Sequence, residues 1–370
     1  MQKLRVGIIG AGMAFEQLHY PAFQELKDHY EIKAICDINR GKAAEWARRL
    51  GLSDGDVYTD YMALATRNDI DVIDIMVPIE LNYKVTEEVA KAISGTKKGI
   101  ICEKPLAPTL EQAKAHTELP KKYNVPIMIA ENYRFNEEVN IIRDLVRTKR
   151  VGDIYYFVQN RVACFPCELG KPNKFPNAPW RQHPDYPGGV IMDTGVHDMA
   201  ALRHIFGPID KLQAFGVPLH NGEYAPYASV SVNFRFKSGV VGQFSFFTAG
   251  KEMQRPLVGL RIFGTTGMIY LEERDCGFIN VAHNDGKSEL IQYRPQRGYY
   301  NELLNFHKAM TGQEAIAVPP ELEYGDTKTI LDILQSAKEG SVVSVDAEWD
   351  FIPAYDEVRR DQEQPGRPMM

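Results

Sequence analysis

The sequence predicts an α/β chain of two domains: an N-terminal doubly wound parallel sheet, then an α+β domain with a large, open, mostly antiparallel sheet. Three observations carry this. The chain has 370 residues, more than one hydrophobic core comfortably serves. As far as residue 131, short β-rich runs alternate with helical stretches, the rhythm of βαβ units and so of a parallel sheet. Beyond residue 228 strand follows strand without helices between, which favours antiparallel pairing. The expected domains are 1–132 and 133–355, with 356–370 a flexible tail.

The first domain opens with a strand at 4–9 and a helix at 14–26. A strand at 32–36 and a helix at 40–50 follow, the helix carrying Ala and Arg at helical spacing. The run 72–76 reads as a strand buried on both faces. A helix at 81–93, a strand at 99–102, a helix at 110–122 and a strand at 126–130 complete the unit. A helix at 137–149 then leads to a strand at 154–162, a Pro-rich stretch at 165–187 and a helix near 195–205. The runs 228–236 and 240–247 flank Lys237-Ser238-Gly239, a hairpin signature. In the first of them Val230, Val232, Phe234 and Phe236 alternate with Ser229, Ser231, Asn233 and Arg235, so one face is buried. The other face is only partly polar and leaves room for an interface between copies. Strands at 257–263, 268–271, 278–282 and 289–293 continue the sheet. Helices near 300–310 and 324–339 close the chain, the last placed to pack back on the first domain.

A formal charge of -6 gives no basic face for nucleic acid and disfavours anionic membranes. No apolar stretch reaches the length of about 18 residues that a spanning helix needs. The N-terminus runs straight into a strand, without the marks of a signal peptide. Five scattered cysteines fit a reducing cytoplasm better than a disulfide scaffold. Cys164 and Cys167 have zinc-like spacing but no second pair beside them, so no metal is expected.

Gly10-Ala11-Gly12 follows the first strand and precedes a helix, where a dinucleotide fingerprint has physical meaning. The first glycine makes the tight turn; the second lets a pyrophosphate approach backbone N–H groups at a helix N-terminus. The third position is Phe15 rather than Gly or Ala, so the motif needs support. Asp37 supplies it, ending the second strand where an acid accepts the ribose hydroxyls and repels a 2′-phosphate. NAD is therefore favoured over NADP, although Arg40 nearby keeps NADP open. Glu103-Lys104-Pro105 follows a parallel strand, so Lys104 points into the crevice where such sheets bind ligands. Asp193 and His197, four apart after Gly188-Gly189, share one helix face. His197 suits the role of base for an alcohol proton, with Asp193 orienting it and Lys104 polarising the oxygen.

Occurring together and in order, these residues resemble the glucose–fructose oxidoreductase/inositol dehydrogenase/MocA-type family over roughly 4–345. The resemblance implies a Rossmann domain, NAD(P), and hydride transfer at a secondary alcohol of a sugar, glycoside or cyclic polyol. It also implies dimers or tetramers packed through the second sheet. It places the catalytic set on Lys104, Asp193 and His197. The cofactor set becomes Gly10, Gly12, Met13, Ala14, Asp37, Ile38, Arg40, Val77, Pro78, Asn82, Glu103, Lys104, Asn132, Trp180 and Arg181. Substrate would meet Lys104, Tyr133, Arg134, Arg181, Asp193 and His197. Two departures stand out: Asn82 where members often carry His, and Ala200 where a second acid is common. Two rival functions share these residues: glycoside processing with a bound, recycled NAD, and a non-catalytic NAD and sugar sensor.

Overall fold

A computed structural model of the protein describes residues 3–162, 178–219, 224–248 and 259–345. Cys164, Cys167, most of the Pro-rich stretch, the start of the 257–263 run and the tail lie outside the described residues.

Six strands, β1 (Leu4–Ile9), β2 (Tyr30–Cys36), β3 (Val57–Tyr58), β4 (Val72–Ile75), β5 (Gly99–Glu103) and β6 (Ile127–Ala130), form one sheet in the order β3-β2-β1-β4-β5-β6. All its pairings are parallel. The order reverses between β1 and β4, which opens a crevice at the carboxyl ends of the strands. Local chemistry fixes the helix ends. Asn39 accepts hydrogen bonds from Gly41 N and Lys42 N to start the helix Arg40–Leu50, and Gly51, at φ 71°, ends it.

One expected element differs. In place of a regular helix over 14–26, a π-helical turn, Phe15–His19, precedes a short α-helix, Tyr20–Glu25. Phe15, the non-glycine of the fingerprint, is wholly buried with its ring 4.7 Å from that of Trp46. An aromatic plug thus fills the helix–sheet gap that a third glycine would otherwise close.

The second sheet has nine strands: β7 (Ile154–Val162), β8 (Ile209–Pro218), β9 (Tyr227–Phe236), β10 (Val241–Phe247), β11 (Gly259–Gly264), β12 (Gly267–Leu271), β13 (Phe278–His283), β14 (Ser288–Gln292) and β15 (Val342–Ser344). Their order is β14-β13-β12-β11-β7-β10-β9-β8-β15. The hairpin β9–β10 is antiparallel, with Phe234 opposite Gly242 and Val232 opposite Phe244. One central pair, β7 with β10, is parallel, because the chain enters the sheet at β7 and returns to its flank only after β8 and β9. Val230, Val232, Phe234 and Phe236 are buried under the helix Val190–Phe206, each contributing roughly 1.5–3 kcal/mol of apolar burial. That helix is buried nearly all round and begins straight after Gly189, five residues earlier than its sequence pattern suggests. Gly188 and Gly189, at φ 81° and 50°, make the turn that aims it.

The closing helices reach across the domains. Phe306 of the helix Gly298–Met310 lies against Gly99, where a β-carbon would come within 2.8 Å of its ring. Val318, just ahead of the helix Pro320–Glu339, accepts a hydrogen bond from Ile129 N of β6. Among the described residues, no helix is long and apolar enough to cross a membrane.

Candidate active-site cleft

A cleft of about 1330 Å³ opens between the two sheets, at the carboxyl ends of β1, β2, β4 and β5. Pockets for drug-sized ligands run to about 300–1,000 Å³, so this one has room for a dinucleotide and a second ligand. Gly10, Gly12, Met13, Ala14, Asp37, Ile38, Val77, Pro78, Glu103, Lys104, Asn132, Tyr133, Trp180, Arg181, Asp193 and His197 all line it.

The nucleotide end follows from the first βα turn. Gly10 has φ 101°, and a β-carbon there would sit 2.1 Å from Met76 O, so only glycine lets β1 and β4 close together. A β-carbon on Gly12 would meet nothing within 4 Å. That space, above the start of a helix, suits a pyrophosphate. Asp37 accepts Ala11 N through Oδ2 (2.9 Å) and Asn39 N through Oδ1 (2.8 Å). Each oxygen keeps a lone pair for a ribose hydroxyl. Ile38 is 95% exposed beside it, an apolar face against which an adenine can lie. These residues fit a dinucleotide.

The reacting end is built by β5, β6 and the helix Val190–Phe206. The Lys104–Pro105 peptide is cis. Asn82 shapes this segment, its Nδ2 donating to Glu103 O (2.9 Å) and Pro105 O (2.7 Å). Lys104 Nζ donates to Asp193 O (2.7 Å) and Asp193 Oδ1 (3.1 Å), which leaves its third N–H for the cleft. Arg181 Nε pairs with the other Asp193 oxygen at 2.7 Å. Burial opposes charge on Asp193, but Lys104 and Arg181 outweigh it and hold its pKa down at about 2.

Asp193 and His197 share a helix face, as their spacing requires, yet each has other partners. His197 Nδ1 lies 2.8 and 2.9 Å from the two oxygens of Glu131. Glu131, at the end of β6 and 0% exposed, is the acid that orients the imidazole. Asp193 instead holds Lys104, so the expected Asp193–His197 pairing is corrected. The same rule that singled out Lys104, a polar residue at the carboxyl end of a parallel strand, finds Glu131 as well. Burial, then Lys104 and Arg161, push the His197 pKa well below its ordinary value.

Three further expectations are corrected. Arg134 is 4% exposed and donates through Nε (3.2 Å) and Nη2 (2.6 Å) to Asp326, away from the cleft. Arg40 bonds Val57 O, and Asn82 is wholly buried, so neither lines the cleft.

Three residues that the sequence does not mark, His19, Arg161 and Arg274, complete the site. His19, on the π-helical turn, bridges Asp74 of β4 (2.8 Å from Nδ1) and Glu103 (3.0 Å from Nε2). Burial works against its charge, but the two acids prevail and raise its pKa. A charged clamp therefore fixes the Glu103 side chain beneath Lys104. Tyr133 stacks on His197 with centroids 4.3 Å apart, and the Arg274 guanidinium lies 3.5 Å from the Tyr133 ring centre. Arg161 donates to Tyr133 Oη (3.2 Å) and Asp198 Oδ2 (3.0 Å). No local motif marks Arg161 or Arg274; a strand end and a loop of the second domain bring them in.

A doubly wound sheet with a nucleotide turn at its switch point, facing a lysine and an imidazole, defines the class of two-domain nucleotide-dependent oxidoreductases. Two domain models of one family agree with this. Residues 4–131 match an oxidoreductase-family domain with an NAD-binding Rossmann fold, and residues 139–270 match the GFO/IDH/MocA C-terminal domain. The chain belongs to the GFO/IDH/MocA oxidoreductase family and binds NAD through its first domain. It is 27% identical to levoglucosan dehydrogenase of Pseudarthrobacter phenanthrenivorans, covering 93% of this chain and 92% of that one. Identity to myo-inositol 2-dehydrogenase of Thermotoga maritima is 24%, covering 91% and 96%. A crystal structure of a Thermotoga maritima oxidoreductase superposes with a TM-score of 0.81 at 27% identity, covering 93% and 99%.

Proposed function

We propose that this chain is an NAD-dependent dehydrogenase acting on a secondary alcohol of a sugar, glycoside or cyclic polyol. The observation that carries the reading is a convergence. The uncommitted N–H of Lys104 and Nε2 of His197 face one cleft, next to the turn that suits the cofactor. The nicotinamide, when bound, takes up or returns the hydrogen that leaves carbon with its electron pair. Lys104 donates to the substrate oxygen and stabilises negative charge there as the proton departs. Asp193 keeps Lys104 aimed, and His197 accepts the hydroxyl proton at Nε2.

Two features support a neutral, polyhydroxylated substrate. Six acidic and six basic side chains line the cleft among the described residues, so it has no strong preference for an ion. Trp180 and Tyr299 offer aromatic surface, while Arg161 and Arg181 offer donors, the mixture that a sugar ring needs. Levoglucosan and myo-inositol, in the names of two relatives, are ligands of this kind.

The test is spectrophotometric: purified protein, NAD, and a panel of polyols, aldoses and glycosides. NADH released with one class supports the dehydrogenase. A bound cofactor that reduces with sugar but is never released favours internal recycling. Absence of both leaves the sensor reading. Asp37→Ser is expected to raise the KM for NAD about tenfold, or about 1.4 kcal/mol, and to improve use of NADP. An unchanged ratio of the two cofactors would place specificity elsewhere.

The outer face of the second sheet carries Phe215, Val217, Val241 and Phe247, with Phe215 58% and Val217 60% exposed. We assign it to a second copy of the chain. Light scattering is expected to give a dimer or tetramer, and Phe215→Lys to shift the mass towards the monomer. A monomeric wild-type protein at micromolar concentration would refute the assignment.

A further inference from the structure

We infer that Glu131 and His197 act as one proton-accepting pair, in which the alcohol proton enters at Nε2 of His197 and the Nδ1 proton passes to the Glu131 carboxylate. The inference rests on the dehydrogenase reading and gives its base a second half.

The geometry comes first. Glu131 is wholly buried, and both its oxygens lie within 2.9 Å of His197 Nδ1. A carboxylate so placed selects the tautomer with the proton on Nδ1, which leaves the Nε2 lone pair to the cleft. When Nε2 bonds a proton, its lone pair forms the new N–H. The Nδ1–H bond then breaks towards an oxygen already in hydrogen-bond contact. No imidazolium has to persist beside Lys104 and Arg161, the two cations that disfavour it. The pair gains one proton and no redox change occurs in it.

The surroundings favour the proton on Glu131 over a charged imidazole. Burial lifts the Glu131 carboxyl to about 7, against the pull of Lys104. Arg134, on the same turn, also favours its ionised form, and Asp326 of the helix Pro320–Glu339 opposes it. Glu323 on that helix and Glu302 on the helix Gly298–Met310 also face it, each pushed well above the carboxylate range by burial. Tyr299 and Tyr133 complete the shell. Burial thus raises the proton affinity of the carboxylate, while burial and two cations lower that of the imidazole, so the proton the pair takes up comes to rest on Glu131.

Two measurements test this. Nitrogen-15 NMR of the histidine-labelled protein, with the His197 resonance identified by its loss in His197→Asn, is expected to show Nδ1 protonated and Nε2 bare at pH 8. A proton on Nε2 would overturn the pair without any assay. In kinetics, alcohol oxidation by the wild type is expected to rise with pH through a limb near neutrality. Glu131→Gln, which cannot take the proton, is expected to lower kcat by about 10²–10⁴ with NADH binding retained and that limb lost. Glu131→Asp should restore part of kcat and a shifted limb; if Glu131→Gln does not fold, this variant carries the kinetic test. Wild-type turnover with an unaltered limb in the variant would refute the inference alone. Absence of NAD-linked turnover in the wild type would refute the dehydrogenase reading, leaving the NMR result to judge the pair.

Discussion

Replacing Lys104 by methionine is expected to lower kcat/KM by about 10²–10⁴-fold, the span of a lost acid/base or oxyanion-stabilising group. Methionine keeps most of the stem and removes the charge together with the N–H that faces the cleft. The loss should fall on kcat, because that N–H bonds most strongly to oxygen that is losing its proton. The fold should survive, since Asp193 remains ion-paired to Arg181 at 2.7 Å. Affinity for NADH should change by less than about threefold, because the nucleotide end is built by Gly12 and Asp37, on a different turn. Three measurements decide the matter: kcat/KM, an NADH fluorescence titration and a melting curve. A variant with wild-type kcat/KM would remove Lys104 from the chemistry. A variant that no longer binds NADH would make it a cofactor residue instead.

The parts of this site that were legible in the sequence are those in which one short stretch holds both position and chemistry. Gly10-Ala11-Gly12, Asp37 and Lys104 each sit at the end of a strand whose apolar run is plain, so topology alone carries them to the crevice. Pairing between elements was not legible. Asp193 and His197 are four apart on one helix and look like a couple. Their partners were decided by β5 and β6, which present Lys104 and Glu131 from the opposite wall. The parallel contact of β7 with β10 was hidden for the same reason, because sequence proximity says nothing about which strand the returning chain will flank. His19 shows a third limit. A lone histidine in an apolar stretch has no periodicity to mark it, and its meaning comes only from Asp74 and Glu103, 55 and 84 residues away.

Arg134 separates the two kinds of information most sharply, and its expected behaviour is structural. Beside Asn132 and Tyr133, which line the cleft, a guanidinium reads as a ligand for hydroxyl groups. The fold turns it the other way, into a buried network in which Arg134 and Arg203 share the carboxylate of Asp326. Arg203 also donates to Leu322 O at 3.2 Å. Asp326→Asn is therefore expected to cost about 3–5 kcal/mol of stability, because two buried cations lose the charge they share and only an amide replaces it. The loss should appear as a lower urea midpoint, while KM for the alcohol in native buffer stays within about threefold of wild type. Arg134→Met should lower the midpoint less, since Asp326 keeps its pair with Arg203. If Arg134→Met instead raised KM tenfold or more at an unchanged midpoint, the guanidinium would have to reach the substrate, and the buried network would be a resting arrangement that binding rearranges.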